Sequence, residues 1–385
     1  MQKISIFGAN YREIEIGKII NLGTDKPLLL SNGTAISNFP IAYQTYGELN
    51  QDKSNAILIC HALTGDQYVA STNPVNEKDG WWKFIVGEGL AIDTKKFFVI
   101  CSNVIGGCIG SFGPKEINQD TGKIYGGSFP AININDIVNA QNLLIEYFGI
   151  KKLYAVVGGS TGGMQALTWS IVYPQKINKI IALACSYRHS PQNIAFHEVG
   201  RQAILTDPNF CQGNYLLEKT FPSRGLAVAR MTAHITYLSE SSLQRKFGRN
   251  LQNNNHQKIV SIDSRHSPEF EVENYLHYQG LNFIERFDPN SYIAITKAVD
   301  YFDLEKDFNN NLSLAFANSS HIDFCIISFS DDWLFPACEA KKLTMSILAC
   351  NARVSFVTIN SCNGHDSFLV KNEPTSQAIA NFLIN

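Results

Sequence analysis

The chain has 385 residues, enough to bury a large core in one enlarged domain or two. Charged residues make up 17% and the formal net charge is −2, which argues against nucleic acid or an anionic membrane as the main partner. Hydrophobic residues make up 45%, ordinary for a globular protein, and no uninterrupted apolar stretch approaches the ~20 residues a membrane helix needs.

Residues 1 to about 50 read as β-rich, with Leu28–Leu30 and Ile41–Tyr46 as short strands separated by Ser31-Asn32-Gly33 and Ser37-Asn38 turns. The opening Met1–Gly8 lacks the long apolar core of a signal peptide. Nine cysteines occur without a C-x-x-C pair or a metal-ligand spacing, and several, such as Cys60, Cys101 and Cys185, sit in apolar runs. Buried free thiols in a reducing compartment fit this better than disulfides, so a cytoplasmic, metal-free protein is expected.

Ala56–Cys60 is a buried-strand pattern that runs into His61-Ala62-Leu63-Thr64-Gly65-Asp66. Phe97–Cys101 is another, meeting the glycine-dense loop 102–111. Ile134 begins a helix reading to about Phe148, Leu153–Val157 is a strand, and a helical pattern then runs to Pro174. Ile177–Cys185 is a further apolar run. Strands alternating with helices predict a mostly parallel α/β sheet. From about Tyr187 to Asp307 the periodicity is mainly helical, as in Gly225–Leu238 and Pro289–Phe302, with an asparagine-rich stretch at Leu251–His256 that reads as a mobile loop. Strands return at Phe324–Phe329 and Val354–Ile359, and Thr375–Leu383 is a last helix. The division is therefore a core at 1–186 and 308–385 with a helical lid inserted at 187–307, placed where such sheets bind ligands.

The chemistry centres on Gly158-Gly159-Ser160-Thr161-Gly162, a G-x-S-x-G turn between a strand and a helix. Such a turn is so sharp that small residues flank the serine, whose hydroxyl then stands over a helix N-terminus. A serine needs a base and the base an orienting acid. In an α/β-hydrolase fold the order is serine, acid, histidine, each at a strand's C-terminal end. Ser160, then Asp331 or Asp332, then His365 occur in that order and place; periodicity does not separate the two aspartates. His61 also ends a strand but lies where such folds put the oxyanion loop. His189, His197, His234, His256, His266 and His277 fall in the insert and His321 precedes its strand, so each reads as a core or surface histidine. The N–H groups of Thr161 and Leu63 are the oxyanion-hole candidates. These residues define an acyl-transfer site without naming the acceptor.

The stretches 61–66, 103–108, 158–165, 225–230, 275–280, 286–292, 332–336 and 364–368 resemble the homoserine O-acetyltransferase family, in order over nearly the whole chain. That resemblance implies an α/β-hydrolase core, a helical lid, and a homodimer formed through lid helices. It implies acetyl transfer from acetyl-CoA, as a substrate, to the hydroxyl of L-homoserine by a ping-pong route in methionine biosynthesis. No cofactor or metal is implied. It matches Asp332 to the triad acid, and Arg230, Tyr237 and Asp366 to substrate-binding positions. Arg230 would hold the α-carboxylate, Asp366 the α-ammonium, and Tyr237 a further hydrogen bond. Thr161 stands where the family commonly has methionine, and Ser128 where it usually has aspartate. The alternatives are homoserine O-succinyltransfer from succinyl-CoA, serine O-acyltransfer, a carboxylesterase, and a non-catalytic binding protein.

Overall fold

The computed structural model describes residues 2–7, 11–252 and 269–384, and for residues 2–7 and 11–13 the backbone alone. Eight strands make the main sheet: β1 (Lys18–Leu22), β2 (Phe39–Tyr46), β3 (Ala56–Cys60), β4 (Phe98–Ser102), β5 (Leu153–Gly159), β6 (Ile177–Leu183), β7 (Asp323–Phe329) and β8 (Arg353–Ile359). Their order is β1-β2-β4-β3-β5-β6-β7-β8. β1 and β2 pair antiparallel, as do β2 and β4, and every other pair is parallel. The β-rich opening thus forms an antiparallel edge ahead of a parallel sheet.

Parallel strands are covered on both faces, which is why β3 and β4 are apolar at nearly every position. Successive side chains supply opposite faces. Leu58, Ile100, Val156 and Ile180 pack on one side with α1 (Ile134–Tyr147) and α2 (Thr161–Val172). Ile57, Val99, Val157 and Ile181 pack on the other with Trp82, Phe368 and the last helix, Glu373–Ile384. Asn133 caps α1 reciprocally with Asp136, so the helix starts where the sequence predicts.

Between β6 and β7 the chain leaves the sheet and builds α3 (Pro191–Leu205), α4 (Ser223–Tyr237), α5 (Glu240–Phe247), α6 (Glu271–Ile284) and α7 (Pro289–Asp300). α4 packs against both α3 and α6. Two departures from the sequence reading are local. Leu28–Leu29 pairs with Ala35–Ile36 in a two-stranded ladder outside the main sheet. Leu251, read as loop, forms an antiparallel bridge to Phe270; residues 253–256 of that stretch lie outside the described residues. Among the described residues no helix is long and apolar enough to cross a membrane.

Candidate active site

β5 ends in a turn that stands Ser160 in the left-handed region, at φ 58° and ψ −124°. A non-glycine residue held there costs on the order of 1–3 kcal/mol, offset by the packing around it. That packing is tight: a Cβ on Gly162 would lie 2.0 Å from the Cys60 carbonyl oxygen. The turn leaves Thr161 as the first residue of α2. Neither the Thr161 nor the Leu63 N–H donates to another described residue, so both remain available to an oxyanion.

β7 and β8 run parallel beside each other, so the loops after them meet on the same edge as Ser160. His365 Nε2 lies 2.8 Å from Ser160 Oγ, and His365 Nδ1 lies 2.8 Å from Asp332 Oδ2. Asp332 Oδ1 accepts from the N–H groups of Leu334 and Phe335 at 3.0 and 2.9 Å. Both carboxylate oxygens are thus engaged, and the side chain is fully buried. Burial alone would lower the His365 pKa, but the Asp332 charge and hydrogen bond, with Asp366 nearby, raise it above the ordinary value. The adjacent aspartate ties down the loops instead, for Asp331 Oδ2 accepts from Ser239 Oγ at 2.9 Å and from the Gly364 N–H at 3.1 Å.

The rival histidine His61 is engaged by backbone groups instead of Ser160. Its Nδ1 lies 2.8 Å from the Ala62 carbonyl oxygen, and its Nε2 accepts from the Val104 N–H at 3.1 Å. Burial lowers its pKa to about 4, so it stays neutral. His234 bonds Tyr275 Oη at 2.8 Å, His321 faces the Pro174 carbonyl at 2.8 Å and His277 is exposed. His256 and His266 lie outside the described residues.

α4 brings Arg230 and Tyr237 over the triad, and the loop after β8 supplies Asp366. Arg230 Nη1 donates to Thr64 Oγ1 at 3.1 Å, and its guanidinium lies 4.7 Å from the Phe283 ring centre and 5.6 Å from that of Tyr237. The Tyr237 ring sits 6.1 Å from the His365 ring. Asp366 makes no hydrogen bond and no ion pair among the described residues. Burial raises its pKa, while the His365 and Arg230 charges pull it down. A cation and an anion are therefore held near His365 without pairing to each other.

Two cavities open here. A small one, of about 30 Å³, is lined by Ser160, Leu63, Thr161, Tyr237 and Phe335, and also by His189 and His197. A larger one, of about 330 Å³, is lined by Thr64, Arg230, Arg286, Trp81 and Lys78. Arg286, which the sequence reading did not single out, donates to the Thr64 carbonyl oxygen at 3.0 Å, and burial lowers its pKa to about 10. The two departures from the family pattern differ in position. Thr161 is buried beside the nucleophile, whereas Ser128 is exposed and bonds the Tyr125 carbonyl oxygen at 2.6 Å.

A family model described as the alpha/beta hydrolase fold matches residues 55–372. The homoserine O-acetyltransferase of Mesorhizobium japonicum is 53% identical over 331 residues, 86% of this chain and 84% of that one. The homoserine O-acetyltransferase of Pelagibacter ubique is 54% identical over 331 residues, 86% of this chain and 87% of that one. Among solved structures, homoserine O-acetyltransferase from Bacillus anthracis superposes with a TM-score of 0.85 at 27% identity, over 96% of this chain and 97% of that one. Esterase E22 superposes with a TM-score of 0.83 at 28% identity, over 95% of this chain and 99% of that one.

Proposed function

The chain belongs to the alpha/beta hydrolase fold and, within it, to the homoserine O-acetyltransferase family, and from that premise we propose an acetyl transfer from acetyl-CoA to L-homoserine through an acyl-Ser160 intermediate. The carrying observation is the pair Arg230 and Asp366, unpaired with each other beside His365. A zwitterionic acceptor satisfies both charges, Arg230 taking its carboxylate and Asp366 its ammonium, with Tyr237 between them. A plain ester needs neither. The similarity of the fold to an esterase does not separate the two readings; this charge pair favours the amino-acid acceptor.

The steps follow from the geometry. His365 Nε2 takes the Ser160 proton as Oγ attacks the thioester carbonyl, and Asp332 stabilises the imidazolium. The N–H groups of Leu63 and Thr161 receive the oxyanion. The thiolate of coenzyme A leaves with the proton from His365, and acetyl stays on Ser160. The homoserine hydroxyl then gives its proton to His365 and attacks the acetyl carbonyl, and His365 returns the proton to Ser160. No metal or prosthetic group enters these steps. Acetyl over succinyl is supported by the relatives, which are homoserine O-acetyltransferases.

The product carries a better leaving group than a hydroxyl, which suits a later replacement by sulfur in methionine biosynthesis. A cytoplasmic site is supported by nine free cysteines. A homodimer through the lid is supported by exposed Val228 and Ile235 on α4 and Tyr278 and Leu281 on α6.

The test is thiol release from acetyl-CoA and from succinyl-CoA, each with and without L-homoserine, with Ser160→Ala as control. Homoserine-dependent release with acetyl-CoA is the expected result. Release that ignores homoserine would replace this reading with an esterase.

A further inference from the structure

His189 and His197 are eight residues apart, and no periodicity links them to the triad. The structure places both on the wall of the cavity that holds Ser160. His189 Nδ1 lies 3.0 Å and His197 Nδ1 2.7 Å from the same atom, Asp300 Oδ1 at the end of α7. The other oxygen, Asp300 Oδ2, takes Arg201 Nη1 at 2.6 Å, and Glu198 holds the far side of that guanidinium at 2.9 and 3.0 Å. The His189 ring lies 6.0 Å from Phe335, which lies 5.2 Å from His365.

Two histidines and an aspartate invite a metal reading, and the geometry opposes it. The donor atoms point at one another at hydrogen-bond distance, and a guanidinium already occupies the second carboxylate oxygen. The arrangement instead fixes how both rings stand. Asp300 is an acceptor only: burial would raise its pKa, but the bonds from His189 and His197 and the Arg201 charge hold it well below the usual carboxylate range. His189, whose pKa burial lowers to about 4, therefore carries its one proton on Nδ1. Its Nε2 is left as a lone-pair acceptor without a partner among the described residues, and both rings line the cavity.

Such a wall tolerates a small occupant and penalises a longer one. A methyl group on the Ser160 acyl carbon fits the small space. Further methylenes would press against the two rings and displace whatever solvates them, with no return bond. We propose that His189 and His197, oriented by Asp300 and Arg201, are specificity-determining residues that close the acyl pocket behind a two-carbon acyl group. This rests on Ser160 as the acyl carrier and goes beyond it by assigning the length gauge.

The test uses p-nitrophenyl acetate and p-nitrophenyl butyrate, which require neither coenzyme A nor homoserine. A failure of homoserine acetylation thus leaves this test intact. The wild-type protein should favour acetate over butyrate by at least about tenfold in kcat/KM; equal use of both would overturn the proposal without any variant. His197→Ala, which removes the ring, should raise the butyrate-to-acetate ratio about tenfold or more. His197→Leu, which replaces a polar ring edge with an apolar side chain, should raise it in the same direction. Unchanged ratios in both variants, with acetate turnover merely lowered, would reduce the cluster to a structural role.

Discussion

Replacing Asp332 with asparagine tests the triad in a way the neighbouring Asp331 controls. The asparagine has two orientations. In one, its oxygen keeps the Leu334 and Phe335 N–H groups, and its amide faces His365 Nδ1. The imidazole must then present a lone pair at Nδ1 and a proton at Nε2, where it cannot receive the Ser160 proton. In the other, the oxygen keeps the Nδ1–H bond and the amide turns on two buried N–H donors. Leaving those two unsatisfied costs about 1–3 kcal/mol each, or roughly 2–6 kcal/mol together. At about 1.4 kcal/mol per factor of ten, acylation should fall by about 30-fold to about 2 × 10⁴-fold. The Asp331 oxygen that holds Ser239 and Gly364 is one an asparagine oxygen reproduces, so Asp331→Asn should lose less than about tenfold. The assay is the p-nitrophenol burst from p-nitrophenyl acetate under single-turnover conditions, with circular dichroism to confirm folding. A loss in Asp331→Asn equal to that in Asp332→Asn would refute the assignment.

Three further outcomes are expected. Because the His365 pKa is raised, its neutral, base-competent form is lost as pH falls through a value above the ~6.5 of a free imidazole; a kcat/KM profile for the acetate ester whose acid limb lies at or below pH 6 would contradict this. Arg230→Lys should raise the KM for L-homoserine at least about tenfold while the acylation burst persists, since an ammonium cannot reproduce the planar fork; comparing steady-state and burst kinetics separates the two. Gly162→Ala should destabilise by at least about 3 kcal/mol, because the new methyl would meet a backbone carbonyl that cannot move aside; urea unfolding measures it, and a loss below about 1 kcal/mol would count against the packing described at the nucleophile.

The central sheet was legible because strands covered on both faces must be apolar throughout, and β3 coincides residue for residue with its apolar run. Strand β1 was not singled out: Lys18–Leu22 is an edge with no continuous apolar face. The order of Ser160, an aspartate and His365 was legible because each follows a strand. The choice between Asp331 and Asp332 was not, since neighbouring residues in a loop obey no period; the family resemblance made it, and the hydrogen bonds give the two side chains separate partners. His189 and His197 read as ordinary core or surface histidines because the residue that joins them, Asp300, is more than one hundred positions away and only the folded insertion brings it near. Arg286 escaped notice for the same reason.

The contact between α4 and the histidine loop has a mechanical consequence. Leu238 accepts the Trp333 indole N–H at 2.9 Å, Ser239 bonds Asp331, and Arg245 donates to the Cys362 carbonyl at 2.8 Å. Gly364 fits beneath this corner with no room for a methyl: a Cβ there would lie 2.4 Å from the Ser239 nitrogen. The insertion is thus riveted to the hydrolase core at the loop that carries His365. It cannot swing upward about its far end like a flap without dragging His365 out of line with Ser160. A molecule reaching Ser160 would therefore have to pass with that roof left in place.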